Sequence, residues 1–151
     1  MIFCFDEAYA EYLDSPPDLR PLIEDGHKVI CLRTFSKIHG LAALRIGYGY
    51  GAKEMIDLLQ RARQPFNVNA IAQAAALGAL QDDHWVTQCR KRNTDGLEQL
   101  ANGLKVLDIE YLPSQANFIL SKPGDGRGLF TELQKQGIIT RALGPSLAPY
   151  L

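Results

Sequence analysis

The stretch from Val29 to Lys37, VICLRTFSK, joins a short apolar run to a polar loop that ends in a lysine. The run Val29 to Leu32 is typical of a strand that is buried on both faces. An earlier run, Ile2 to Phe5, has the same character. The segment between the two is long enough for a crossover between parallel strands. The sequence therefore predicts an α/β fold in which these two strands lie side by side.

The other elements of the first half are predicted from the spacing of apolar residues and from glycines and prolines that interrupt helices and strands. Leu44 to Tyr50 is a candidate third strand, although its glycines weaken that prediction. Ala52 to Arg61 has helical apolar spacing. After a break at Pro65, Asn69 is the expected N-cap of an alanine-rich helix that runs to Leu80.

The sequence changes near residue 82 from an alanine-rich apolar segment to a polar one, and we expect a division there into two α/β units, 1–82 and 83–151. The second unit is predicted to begin with a long polar helix from about His84 to Gly103. Its other expected elements are strands at Val106 to Tyr111, Asn117 to Leu120 and Ile138 to Arg141, and a helix at Leu129 to Gln136 that Gly137 ends.

Composition excludes several classes of protein. The 151 residues are 46% hydrophobic and 22% charged, with a net charge of -1, which argues against disorder and against a general polyanion binder, so no nucleic-acid partner is expected. No run resembles a signal peptide or is long enough to cross a bilayer, so no membrane partner is expected either. Three scattered cysteines point to a reducing, cytoplasmic location, and with only three histidines we expect no metal site.

Three residues whose side chains could bind a ligand or react fall at the ends of predicted strands. Asp6 closes the first strand, Lys37 follows the second, and Arg45 opens the third. Ligands of open α/β sheets bind outside the carboxyl ends of parallel strands, so Asp6 and Lys37 are expected on one edge, to which the short return through Gly40 brings Arg45. Each residue alone also has a plain structural interpretation: a solvated lysine, a turn aspartate, and an arginine paired with a surface carboxylate.

Taken together, these residue types describe a plausible pyridoxal phosphate site. A deprotonated lysine amine can bond to the aldehyde of that cofactor. An aspartate beside the ring nitrogen keeps the nitrogen protonated, which makes the ring an electron sink. Arginine binds phosphate through two parallel hydrogen bonds, and the hydroxyls of Ser36 and Thr34 could add donors.

The same residues carry a resemblance to the fold-type I, class I/II pyridoxal-phosphate aminotransferases, and within them to the histidinol-phosphate aminotransferases. The matching segments are Asp6 to Tyr12 (DEAYAEY), Thr34 to Tyr48 (TFSKIHGLAALRIGY), Gln64 to Asn69 (QPFNVN), Ser114 to Phe118 (SQANF) and Gly137 to Arg141 (GIITR). The lysine segment is specific and the others are supporting. His39 stands where the family commonly has a bulky aromatic residue, and we expect it to pack there.

The resemblance implies a role for each matched site residue. Lys37 would be the catalytic residue, which bonds to the cofactor and moves a proton. The other cofactor contacts would be Asp6 at the pyridine nitrogen, Tyr9 at the phenolic oxygen, and Ser36 and Arg45 at the phosphate. Arg141 would lie near the distal end of the substrate. Tyr9 could instead be a packing residue, and Arg141 a surface charge at a strand end.

The resemblance also implies a fold, an activity and an assembly. The fold would be that of the aspartate aminotransferase-like transferases, with 1–82 as the second half of the large cofactor-binding domain and 83–151 as most of the small domain. The activity would be transamination between histidinol phosphate and a 2-oxo acid, 2-oxoglutarate, in histidine biosynthesis, by a homodimeric enzyme.

Three alternatives stay open at this point. Two are other reactions of the same class: an aromatic aminotransferase, and an enzyme like phosphothreonine decarboxylase. The third is of a different class. The family has an N-terminal half and a C-terminal arginine that this sequence lacks, so the chain would be a C-terminal portion that is catalytically incompetent or serves only in binding.

Overall fold

The computed structural model describes all 151 residues, Met1–Leu151. The chain separates into two units, Met1–Lys91 and Arg92–Leu151, and the division falls inside a long helix. The predicted boundary near residue 82 lies just before that helix. The assignment of 1–82 to a large domain and of 83–151 to a small domain stays a prediction.

The elements of the chain are, in order, β1 (Phe3–Asp6), α1 (Arg20–Glu24), β2 (Val29–Thr34), β3 (Gly47–Gly51), α2 (Lys53–Ala62), α3 (Ala70–Ala79), α4 (Asp83–Val106), β4 (Glu110–Leu112), β5 (Leu120–Lys122) and α5 (Gly126–Lys135). Single 3₁₀ turns occur at Ala10–Tyr12, Ala42–Leu44 and Pro145–Leu147. No helix is both long and apolar enough to span a lipid bilayer.

The first unit contains a three-stranded sheet in the order β1-β2-β3. Strands β1 and β2 are parallel, with Phe3 opposite Val29 and Asp6 opposite Leu32, which confirms the predicted crossover. Strand β3 is antiparallel to β2, with Thr34 opposite Gly47. The carboxyl ends of β1 and β2 and the start of β3 therefore lie at the same edge of the sheet.

A small core packs beneath that edge. Phe35 and Ile46 are buried with Ala72 and Ala76 of α3. The alanines leave room for the helix to approach closely. The predicted N-cap begins this helix, because the Asn69 side chain accepts a hydrogen bond of 2.9 Å from the backbone N–H of Ala72.

Two predictions for the first sheet were wrong. Strand β1 is not buried on both faces: all four of its residues are exposed, Phe3 and Phe5 by 49% and 38%, because the described elements leave their side chains largely uncovered. The third strand begins at Gly47 rather than Leu44. Arg45 does not open it, because the chain makes a 3₁₀ turn at Ala42–Leu44 and Arg45 then adopts a left-handed conformation with φ of 51°.

The glycines of β3 are explained by its close pairing with β2. A Cβ atom on Gly47 would lie 2.6 Å from the carbonyl oxygen of Arg33, and one on Gly51 would lie 2.7 Å from that of Val29. Gly49, between them, would meet the Leu32 side chain at 3.2 Å. The same residues that weaken the strand prediction are thus required by the approach of the two backbones.

The second unit contains a two-stranded antiparallel sheet of β4 and β5, with Tyr111 opposite Ser121. Both strands begin later than predicted, in the first case because helix α4 continues to Val106. The strand expected at Ile138 to Arg141 was wrong, because these residues join no sheet. The Ile138 N–H instead caps α5 by donating to the carbonyl of Leu133, and Ile139 is 80% exposed.

Substitution of Gly51 by alanine tests the close pairing of β2 and β3. The added methyl group would meet the Val29 carbonyl, so we expect Gly51→Ala to lower the free energy of unfolding by about 2 kcal/mol, as overpacking does. The control is Gly103→Ala in helix α4, where no atom lies within 4 Å of the new Cβ and the change should stabilise by about 0.5–1 kcal/mol. Urea unfolding followed by circular dichroism compares the two; equal effects would contradict the close approach.

Candidate functional site

The loop that carries Lys37 is fixed by its apolar neighbours. Phe35 and Ile38 are only 3% and 2% exposed, whereas Ser36 between them is half-buried and Lys37 is exposed. The loop closes through a hydrogen bond of 2.9 Å from the Gly40 N–H to the Lys37 carbonyl, and Gly40 has a φ of 72° that suits glycine. Lys37 is exposed at the edge where β2 ends.

Asp6 and Tyr9 reach the same edge from β1. Asp6 is the last residue of β1, as predicted, and its carboxylate accepts a hydrogen bond of 3.0 Å from the Ala8 N–H while staying exposed to solvent. The next residue, Glu7, is held to β2 by a backbone hydrogen bond of 2.8 Å to Leu32. Tyr9 lies beneath the lysine, with the Lys37 Nζ atom 5.2 Å from the centre of its ring.

Ser36 and Arg45 flank the point where β2 and β3 separate. The Phe35 N–H donates to the Ile46 carbonyl at 3.2 Å, and the next residue outward on each side is Ser36 or Arg45. The exposed Arg45 guanidinium donates one hydrogen bond, of 2.7 Å, to the Ala42 carbonyl. The left-handed backbone at Arg45 is uncommon for a residue with a side chain, and such conformations cluster at functional sites.

The predicted site residues thus divide into two groups. Asp6, Tyr9, Ser36, Lys37 and Arg45 all lie at one edge of the first sheet. Arg141 belongs to the second unit, where it is exposed in the irregular stretch after α5 rather than at the end of a strand. His39 packs as expected, with its ring centre 5.1 Å from that of Phe35.

A polar network beside this edge was missed by the sequence reasoning. On one face of the sheet, the Arg33 Nε donates to Glu7 Oε2 at 2.9 Å and its second nitrogen donates to Glu11 Oε1 at 3.2 Å. The Tyr50 hydroxyl donates to the same Glu7 oxygen at 2.8 Å. The spacing of Glu7 and Glu11 is visible in the sequence, but their partner depends on the register that places Glu7 beside Arg33.

The surroundings of this network shift two pKa values. Partial burial would lower the pKa of Arg33, but the hydrogen bond from Arg33 to Glu7 and the negative charges of Glu11 and Glu7 outweigh it and raise that pKa. The pKa of Tyr50 is also raised, first by burial and then by its hydrogen bonds with Cys31 and Glu7. Arg33 is therefore held charged, and Tyr50 is held neutral as a donor.

Removal of the Tyr50 hydroxyl tests its bond to Glu7 through pH. A raised pKa means that folding favours the neutral hydroxyl, so its stabilisation is present below about pH 10, the ordinary tyrosine pKa, and is lost as the pH rises further. We expect Tyr50→Phe to lower the free energy of unfolding by about 1 kcal/mol at pH 8. At pH 11 the difference from wild type should shrink.

Urea unfolding at the two pH values measures this effect. The control is Tyr48→Phe on the same strand, whose ring packs on Phe35 and whose loss of a hydroxyl should change stability by less than about 0.5 kcal/mol. A Tyr50→Phe deficit that stays constant between pH 8 and pH 11 would contradict the assignment.

Comparison with known proteins identifies the family to which this chain is similar. Residues 1–148 match the family described as aminotransferase class I and II. The histidinol-phosphate aminotransferase of Akkermansia muciniphila is 42% identical over 142 residues, and histidinol-phosphate aminotransferase 1 of Thiobacillus denitrificans is 46% identical over 143 residues. These matches cover 94% and 93% of this chain but only 39% and 37% of the two relatives.

A solved structure agrees with the sequence relatives. The histidinol-phosphate aminotransferase of Sinorhizobium meliloti, determined in complex with pyridoxal-5'-phosphate, superposes with a TM-score of 0.90 at 28% identity. The superposition covers 99% of this chain and 43% of that one. The predicted α/β fold of the type I pyridoxal-phosphate transferases is thereby confirmed. The chain belongs to the aminotransferase class I and II family.

Proposed function

We propose that this chain serves pyridoxal phosphate-dependent transamination, with histidinol phosphate as amino donor and a 2-oxo acid, 2-oxoglutarate, as acceptor. The observation that carries the proposal is the placement of Lys37 over the Tyr9 ring at the sheet edge where Asp6 ends β1. The identity of 42–46% to two histidinol-phosphate aminotransferases supports this donor over an aromatic amino acid. A homodimeric, cytoplasmic enzyme is part of the same proposal.

The donor set at the sheet edge fits the chemical groups of pyridoxal phosphate. The exposed Asp6 carboxylate has acceptor capacity beyond its bond to Ala8 and would hold the protonated ring nitrogen. Tyr9 offers a hydroxyl for the phenolic oxygen. Ser36 and Arg45 would hold the phosphate, because Arg45 uses one donor on Ala42 and keeps others of its guanidinium fork for an anion.

Lys37 would transfer the proton, and the other residues of the site would bind and orient the cofactor. Bound pyridoxal phosphate supplies an aldehyde and an electron-withdrawing ring that stabilises negative charge on the substrate carbon. Lys37 would take the proton from that carbon, which requires its amine to be neutral during the reaction. The face of the Tyr9 ring restricts where the flexible lysine side chain can go, so the amine is held near one position.

Specificity for a phosphorylated donor would come from the second unit. Arg141 is exposed and has a permanent positive charge, so it suits the phosphate at the distal end of histidinol phosphate. An uncharged aromatic donor such as phenylalanine would gain nothing from it. The role of Arg141 can therefore be separated from that of the lysine site by comparing two donors.

Replacement of Lys37 tests the lysine assignment directly. Purified chain mixed with pyridoxal phosphate should develop an absorption band that borohydride fixes as an adduct on Lys37. We expect Lys37→Ala to abolish both the band and the adduct. The matched control is Lys28→Ala, an exposed lysine just before β2, which should keep both. Peptide mapping locates the adduct; an unchanged band in Lys37→Ala would refute the assignment.

Replacement of Arg141 tests the donor. With histidinol phosphate, we expect Arg141→Met to raise KM roughly 30-fold, as expected for the loss of a hydrogen bond between charged groups. With phenylalanine, KM should stay unchanged. Arg127→Met, at an exposed position in α5, is the control and should leave both donors unaffected. Equal or better use of phenylalanine by the wild-type chain would contradict histidinol phosphate as the donor, and conversion of neither donor would contradict the activity.

A further inference from the structure

The segment that carries Asp6 and Tyr9 has little regular structure to hold it. Beyond the end of β1 it contains only the 3₁₀ turn Ala10–Tyr12, and Ala10 is its only buried residue. A single backbone hydrogen bond, from Glu7 to Leu32, ties it to β2. Side-chain contacts therefore have a large part in fixing the place of the Tyr9 ring.

The Tyr9 ring contacts that of Tyr12, with 6.2 Å between the ring centres, and Arg33 holds the residues on either side of Tyr9. Its guanidinium donates to Glu7 at 2.9 Å and to Glu11 at 3.2 Å, and these carboxylates lie two residues before and two residues after Tyr9. The side chains of Glu7 and Glu11 are 9% and 15% exposed, and that of Arg33 is 22% exposed. Such burial protects the ion pairs from the screening that makes surface pairs weak.

Two further residues, Tyr50 and Arg90, hold Glu7 and Glu11 through three hydrogen bonds. The Tyr50 hydroxyl shares the Glu7 oxygen with Arg33. Arg90 of α4 donates two hydrogen bonds, of 3.0 and 2.9 Å, to the Glu11 carbonyl. Arg33 is the member of this group that stands on β2, only four residues before Lys37.

We propose that Arg33 is a positioning residue of the lysine site. By holding Glu7 and Glu11 to the strand that delivers Lys37, it sets the Tyr9 ring beneath the lysine amine. The consequence for cofactor binding rests on the proposed function. The placement of Tyr9 against Lys37 does not depend on the proposed function. The positioning role of Arg33 and the binding of the cofactor can therefore be tested separately.

The test uses a signal that depends on this placement and needs no cofactor. Methyl groups attached to the lysine amines by reductive ¹³C-methylation report ring currents by NMR, and loss of one signal in Lys37→Arg identifies that of Lys37. We expect Arg33→Met to move this signal toward the position of a free lysine. Hydrogen exchange of residues 6–12 should become faster in the same variant.

Arg20→Met is the matched control, because Arg20 forms an ion pair with Asp18 that is largely exposed. It should leave both measurements at wild-type values. Arg33→Lys should give a smaller movement in the same direction, since one ammonium group cannot span both carboxylates in the way a guanidinium fork does. Thermal unfolding of each variant shows whether it is folded.

The outcomes separate the inference from the proposed function. In pyridoxal phosphate titrations, Arg33→Met should raise the apparent dissociation constant roughly 10-fold, as loss of a supporting partner does at metal sites. A folded Arg33→Met with unchanged Lys37 signal and exchange would overturn the positioning role; if that variant does not fold, an unchanged Arg33→Lys overturns it. Failure of the wild type itself to take up pyridoxal phosphate would refute the proposed function while the NMR result still decides the role of Arg33.

Discussion

The burial of Phe35 and Ile46 against helix α3 is the constraint on which the candidate site depends. These residues stand at the point where β2 and β3 separate, and their backbones make the last hydrogen bond between the strands. Burying a side chain of this size stabilises by about 1.5–3 kcal/mol, so the ends of both strands are held firmly. Ser36 and Arg45 come next on each side, the first half-buried and the second exposed. The buried side chains of Phe35 and Ile46, which cannot themselves bind or react, therefore determine where the polar residues of the site lie.

Much of the fold could be predicted because it depends on local signals. The parallel pairing of β1 and β2 follows from two apolar runs separated by a crossover, and the start of α3 follows from the capping preference of Asn69. Asp6 and Lys37 could be placed at one edge for the same reason, since the ends of neighbouring parallel strands meet. The structure agrees with each of these expectations.

The features that escaped prediction depend on neighbours far along the chain. The apolar run Ile2 to Phe5 does not by itself indicate whether other elements cover it, so the exposure of Phe3 and Phe5 could not be predicted. The left-handed turn at Arg45 stands beside Ile46, which is buried against Ala72 and Ala76 of α3. The strand expected at 138–141 is missing because no strand of the sheets pairs with it. The bridge from Arg33 to two glutamates needed the register of β1 on β2, which no local pattern supplies.

The alternation of glycine and tyrosine in β3 has a consequence for the fidelity of folding. If β3 paired with β2 one residue out of register, either Tyr48 and Ala52 or Ile46 and Tyr50 would replace Gly47 and Gly51, where the carbonyls of Arg33 and Val29 leave little room for a Cβ atom. Both mispaired registers therefore carry a steric cost that the native register avoids. Arg45 lies just two residues before Gly47. The glycines that fix the register of β3 on β2 therefore also fix the distance along the sheet edge between Arg45 and Lys37.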